Sequence, residues 1–157
     1  MGSACRKYEE AYSCWRYFKS SNPKWNTEGI DDTQLTEVEW EGANAQEAAW
    51  IKQHKLQSLQ NIAACLLKEQ NYTDALPVTN EILRLDPGNK IALWRRAKSI
   101  SQPVNAGVEE YHQAIEDLKK INSQEKRILK EIERLQAQAK LNRSRERQTY
   151  GKMFFRN

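Results

Sequence analysis

The sequence predicts an all-α protein of helix–turn–helix pairs ending in a long capping helix. Three observations carry this. Apolar residues recur at steps of three and four over most of the chain. Short turn signals punctuate those runs. A tyrosine-x-x-alanine step appears three times, at Tyr8–Ala11, Tyr72–Ala75 and Tyr111–Ala114. A ring followed one turn later by a methyl group is a device for packing helices closely.

The elements follow in order. Arg6 to Phe18 reads as a helix. The stretch around Trp25 to Trp40 has few periodic apolar residues and reads as a loop with a turn of helix, and no strand alternation is visible. Leu56, Leu59, Ile62, Ala63 and Leu66 line one face of a helix beginning near Gln46 and ending before Asn71. Asn71 is a good N-cap for a helix over Thr73–Arg84, with Pro77 tolerated near its first turn. Asp86-Pro87-Gly88-Asn89 makes a tight turn, and Asn89 caps a third helix, Lys90 to Ser101. A linker with Pro103 and Gly107 precedes a fourth helix, Val108 to Ile121. Asn122-Ser-Gln-Glu125 resembles a capping box. Ile128, Ile132, Leu135 and Ala139 then mark a final helix running past Arg147, about 35 Å or more.

The composition fits. In 157 residues, 39% are apolar and 29% charged, with six glycines and four prolines. That suffices for one cored domain with few long loops. No apolar run is long enough to span a membrane, and the start shows no signal-peptide core, so a cytoplasmic setting is expected and no membrane partner. Cys5, Cys14 and Cys65 include no CxxC step and read as reduced thiols, with Cys65 in the core. The sequons at Asn71 and Asn142 then carry no glycan. The net charge of +4 hides an asymmetry. Residues 28–47 hold seven acids and no Lys or Arg, whereas residues 122–157 hold ten bases and four acids.

The repeat sets the organisation. Tyr72 and Tyr111 lie 39 residues apart, close to the period of about 34 in tetratricopeptide repeats once a short insertion is allowed. The expected division is residues 1–20 as the second helix of an incomplete first repeat, and 21–46 as an acidic connecting loop. The second repeat is 47–87, the third 88–122, and the basic C-terminal helix 123–157. An incomplete repeat exposes an apolar face and predicts a homodimer through it.

The run LQNIAACLLKEQNYTDALPVTNEILRLDPGNKIALWRRA, with the tail QTYGKMFF, resembles the tetratricopeptide domain of the large immunophilins. These are FKBP-type prolyl isomerases and the forty-kilodalton cyclophilin, and the resemblance spans Leu56 to Phe155. It implies a co-chaperone interaction module whose inner groove docks the acidic C-terminal peptide of a heat-shock chaperone. It also implies that isomerase activity would lie in a separate domain, so no catalytic residue, cofactor or metal ligand is expected in this chain. Asn61 and Arg95 match clamp positions of that groove, and Lys68 and Lys90 lie near it. One clamp lysine position holds Ile91, with Lys90 about 100° away round the helix, and two further positions fall in the missing first helix. Arg95 and Arg96 are adjacent, so only one of them faces the groove. Tight clamping of a carboxylate needs several converging donors.

The alternative is the C-terminal helix as a basic binding element for calmodulin or another acidic partner, through Lys126, Lys130, Arg134 and Arg143. Tyr150, Met153 and Phe154 would form an apolar cluster at its end. The acidic stretch is a further candidate, as a mask over a basic groove. His54 and His112 lack ligand spacing and read as structural or surface residues.

Overall fold

The computed structural model describes residues 3–38, 42–121 and 124–154, with side chains for 4–38, 42–121 and 124–149. The expected cap at Asn122 or Ser123 and the Tyr150, Met153 and Phe154 side chains fall outside them. The chain forms two compact units, Met1–Ile62 and Ala63–Asn157. The class is all-α helical repeat, with helices α1 (Ser3–Ser13), α2 (Trp25–Glu28), α3 (Ala45–Lys68), α4 (Tyr72–Leu85), α5 (Lys90–Ser101), α6 (Val108–Lys120) and α7 (Lys126–Phe154).

The first unit corrects two expectations. Helix α1 stops at Ser13 rather than Phe18, and the chain then enters an antiparallel pair, β1 (Tyr17–Ser20) and β2 (Leu35–Val38). The register runs from Tyr17 opposite Val38 to Ser20 opposite Leu35. Two strands of four residues joined by a long connection leave little periodic signal. Arg16 clamps the pair by donating to both Glu37 carboxylate oxygens at 2.9 and 2.7 Å. This bidentate bond draws the Glu37 carboxyl below its ordinary range. Other acids of the 28–47 stretch also act locally. Glu28 accepts from Asn22 at 3.1 Å, Asp31 from the Thr33 amide at 2.9 Å and Glu47 from the Ala43 amide at 2.8 Å.

Asn44 caps α3 by accepting from the Glu47 amide at 2.9 Å. Gly42 precedes it with φ of 79°, and a Cβ there would meet the Ala48 amide nitrogen at 2.7 Å. Only glycine fits so close to the first turn. Trp15, Trp50 and His54 form a ring cluster, with centroid separations of 5.4, 6.0 and 4.3 Å. Tyr8 and Ala11 are both exposed, so the tyrosine–alanine step is not used in α1 as it is farther along.

The second unit builds from its turns. After α3 the Asn71 amide donates to the Leu66 carbonyl at 2.9 Å while Gln70 takes a left-handed φ of 58°. That arrangement closes the helix end. The Asn71 side chain then accepts from the Asp74 amide at 3.3 Å and caps α4. Asn89 accepts from the Ala92 amide at 3.0 Å and caps α5. The Glu110 carboxylate accepts from the Gly107 amide at 3.0 Å at the start of α6. Helix α4 packs on α5, α5 on α6 and α6 on α7.

Ala75 and Ala114 are completely buried, and their partners Tyr72 and Tyr111 are half-buried. Ala63, Leu66, Ile82, Ala92, Leu93, Ala97, Leu118 and Leu135 are further buried apolar residues of this interior's helices. Ile128, Leu135 and Ala139 are the buried stripe of α7. Cys65, expected in the core, is only half-buried.

Among the described residues, an ion pair between α5 and α6 crosses this interior. Arg96 donates to both oxygens of Asp117 at 2.7 and 2.6 Å and to the Asn80 side-chain oxygen at 3.2 Å. Asp117 is 1% exposed, and its hydrogen bond raises the Arg96 guanidinium above the ordinary arginine value. A buried charge left alone is costly. We expect Asp117→Ala to lower unfolding free energy by about 3 kcal/mol in urea titrations, the low end for such pairs because Arg96 keeps some solvent contact. Arg96→Met combined with Asp117→Leu should recover most of that loss, since no charge is then stranded.

Candidate functional site

Helix α5 has two faces, and their residues alternate with the helical period. Ala92, Leu93, Arg96, Ala97 and Ile100 face the interior. Ile91, Trp94, Arg95, Lys98 and Gln102 form the other stripe, at steps of three, one, three and four. That stripe lines a groove of about 550 Å³ together with Ala64, Leu67 and Lys68 of α3, Tyr72 of α4 and Arg127 of α7. The α3 and α5 surfaces are the first helices of their respective pairs.

The lining carries four cationic side chains, Lys68, Arg95, Lys98 and Arg127, and among the described residues no acid. Trp94 organises two of them. The Arg127 guanidinium lies 4.8 Å from the indole centroid and the Lys98 ammonium 5.5 Å from it. Both distances suit cation–π attraction, which holds long side chains in place beside the groove. Burial pushes the Arg95 guanidinium below the ordinary arginine value. It remains charged at neutral pH, and partial desolvation strengthens its attraction for an anion.

Beside this basic groove lies a smaller pocket of about 240 Å³, lined by Lys90, Ile91, Trp94, Ile121, Glu125, Arg127 and Ile128. Ile91, Trp94 and Arg127 belong to both linings. The two compartments are therefore contiguous, one basic and one walled by three isoleucines and an indole.

The sequence-selected residues distribute as follows. Arg95 and Lys68 line the basic groove, while Arg96 turns to Asp117. Lys90 lines the smaller pocket instead. Asn61 is half-buried on α3 and belongs to the first unit. Lys126 and Lys130 are exposed on α7, and Arg134 is bound by Glu131 at 2.8 and 3.0 Å. Arg143 lines a separate hollow of about 210 Å³ with His112 and Lys140. Sequence reasoning missed Trp94 and Lys98 as groove residues, although both share the helical stripe of Arg95. No local pattern in the sequence brings Arg127 of α7 to Trp94 of α5. Among the described residues no group of His, Cys, Asp and Glu is placed to hold a metal ion, and no helix is long and apolar enough to cross a membrane.

No family model matches the chain. The chain is 28% identical over 151 residues to aryl-hydrocarbon-interacting protein-like 1 of Mus musculus, covering 92% of this chain and 38% of that protein. The Rattus norvegicus protein of the same name gives the same figures. That of Bos taurus is 27% identical over 133 residues, 83% of this chain and 33% of its own length. The chain thus spans less than two fifths of these relatives, and it is similar, along nearly all of its own length, to one segment of them.

Proposed function

We propose that this chain is a protein-interaction module whose α3–α5 groove docks the acidic C-terminal peptide of a partner. One observation carries the reading: four cations converge on a groove with no acid among its described lining residues. A terminal carboxylate with a neighbouring acidic side chain needs several donors and a positive field, and charge-assisted bonds are the strong ones. The repeat's resemblance to large-immunophilin domains supports a heat-shock chaperone tail as the natural peptide, and with it a co-chaperone setting in the cytoplasm. On this reading the chain binds and does no chemistry.

The calmodulin reading has less behind it. Calmodulin wraps the apolar face of a target helix. In α7 that face is already committed, since Ile128, Leu135 and Ala139 are buried. Leu129 and Leu141 stay partly exposed, and titration with calcium-loaded calmodulin separates the readings. Binding that survives Arg95→Ala but disappears when residues after Asn142 are removed would move the function to α7. The homodimer is a further proposal, supported by the exposed Tyr8, Phe18, Trp25 and Trp50 of the first unit. Sedimentation velocity over a range of concentrations checks it.

For the groove itself, a labelled peptide ending in two acidic residues should bind with micromolar-range anisotropy changes that weaken as salt is raised. Arg95→Ala should weaken binding by roughly tenfold to a hundredfold, the cost of one charge-assisted contact. Amidating the peptide's terminal carboxylate should weaken it similarly. A peptide insensitive to salt, to amidation and to Arg95→Ala would defeat the proposal.

A further inference from the structure

A second basic hollow, of about 210 Å³, lies between α6 and α7, and its described lining comes from those two helices. Each helix gives a stripe. Val108, His112 and Ile115 stand at steps of four and three on α6. Gln136, Ala139, Lys140 and Arg143 stand at steps of three, one and three on α7. Ile115 and Ala139 are buried and make the floor, while His112, Gln136, Lys140 and Arg143 are exposed and make the rim. Asn142 ties the two stripes together by donating to the Ala106 carbonyl at 3.4 Å, just before α6 begins.

The rim carries spare donors. Other arginines of this unit are occupied, Arg84 by Glu81, Arg96 by Asp117 and Arg134 by Glu131. Among the described residues no hydrogen bond or ion pair engages the side chains of His112, Gln136, Lys140 or Arg143. Glu109 and Glu116 of α6 and Glu133 and Glu146 of α7 are exposed, and none of them lines the hollow.

Size and charge narrow the ligand. Pockets for whole drug-sized molecules start at about 300 Å³, so this hollow takes a single group. Lys140 and Arg143 give the lining a formal charge of about +2, Gln136 adds amide donors, and His112 offers an N–H in either charge state. A carboxylate brings one negative charge and two oxygens. A phosphate monoester brings about −1.5 to −2 at neutral pH and three strong acceptor oxygens. The second set matches donors that approach from two helices. A lipid surface fits less well, because such binding needs apolar side chains that enter it. Leu141, the exposed leucine beside Lys140, turns roughly 150° away from the midline of the α7 stripe.

We infer that the α6–α7 hollow is a phosphate-reading site that takes a phosphoserine or phosphothreonine side chain of a partner protein. The phosphoryl oxygens meet Arg143, Lys140, His112 and Gln136, and the carbon atoms of the modified side chain rest on Val108, Ile115 and Ala139. The site shares no lining residue with the α3–α5 groove. It therefore adds a contact that appears only once the partner has been phosphorylated.

The experiment is fluorescence anisotropy on the full chain with labelled pentapeptides of glycine around a central phosphoserine, serine or glutamate. The phosphoserine peptide should bind about tenfold or more tightly than the serine peptide, the effect of a charge-assisted contact. The glutamate peptide should fall short of it, and inorganic phosphate should compete. Arg143→Ala and Lys140→Ala should each weaken phosphoserine binding by roughly tenfold, and His112→Ala by less. All three side chains are exposed, so the variants fold. Two controls remove the same charge elsewhere: Arg145→Ala from the opposite side of α7, and Arg95→Ala from the α3–α5 groove. Each should change binding by less than about twofold, because separated exposed charges are screened. Equal binding of the phosphoserine and serine peptides overturns the inference. So does a preference that either control abolishes as fully as Arg143→Ala does. A glutamate peptide that binds as tightly as phosphoserine overturns the phosphate assignment. Arg143-dependent cosedimentation with phosphatidylglycerol vesicles, without phosphopeptide binding, would give the hollow to a lipid headgroup instead.

Discussion

The rotation of one helix decides what this surface can do, and a single buried ion pair sets that rotation. Arg96 reaches Asp117 on α6 and Asn80 on α4 at once. An α-helix turns about 100° per residue. Fixing Arg96 toward α6 therefore sends Arg95 the other way, along with Trp94 and Lys98. A net attraction from such a pair is modest, because desolvating two charges nearly cancels their attraction. Its value lies in specificity: any other rotation of α5 would take the guanidinium from a carboxylate that is 1% exposed and leave it only the Lys120 ammonium of its own helix, at 3.7 Å. Ala92, Leu93 and Ala97 reinforce the same choice through close apolar packing.

The groove's electrostatics follow from that geometry. Four cations gathered in one lining repel one another, and the fold tolerates this because the side chains are long and partly hydrated. The stacking of Lys98 and Arg127 on Trp94 offsets part of the repulsion by placing positive charge over the negative face of the ring. The acids of the first unit are mostly engaged near home, Glu37 with Arg16 and Glu28 with Asn22 and Lys24.

Much of the second unit was legible in the sequence, for identifiable reasons. Asn71 and Asn89 cap helices because a short side-chain carbonyl can meet an orphan amide, and such residues stand out before apolar-periodic runs. Ala63 and Leu66, continuing the stripe of Leu59 and Ile62 from the first unit, announced their helix face through spacing alone. The β1–β2 pair was not legible. Its pairing joins residues far apart in the chain, and neither Tyr17–Ser20 nor Leu35–Val38 alternates cleanly. The candidate site divided in the same way. Arg95 and Lys68 could be placed from helical register. Arg127 could not, because its meeting with Trp94 depends on how α7 lies across α5, which is a tertiary fact. The tyrosine–alanine step is legible only as a habit: α4 and α6 bury its alanine, and α1 does not.

Trp94 has a use beyond holding two cations. Every other tryptophan of the chain precedes residue 51, so this one is the lone indole chromophore of the second unit. It forms part of the wall that any occupant would touch. Indole emission shifts toward the blue as water leaves its surroundings. A chain with the remaining tryptophans changed to phenylalanine would carry an intrinsic optical gauge of groove hydration, with no dye attached to disturb the surface it reports on.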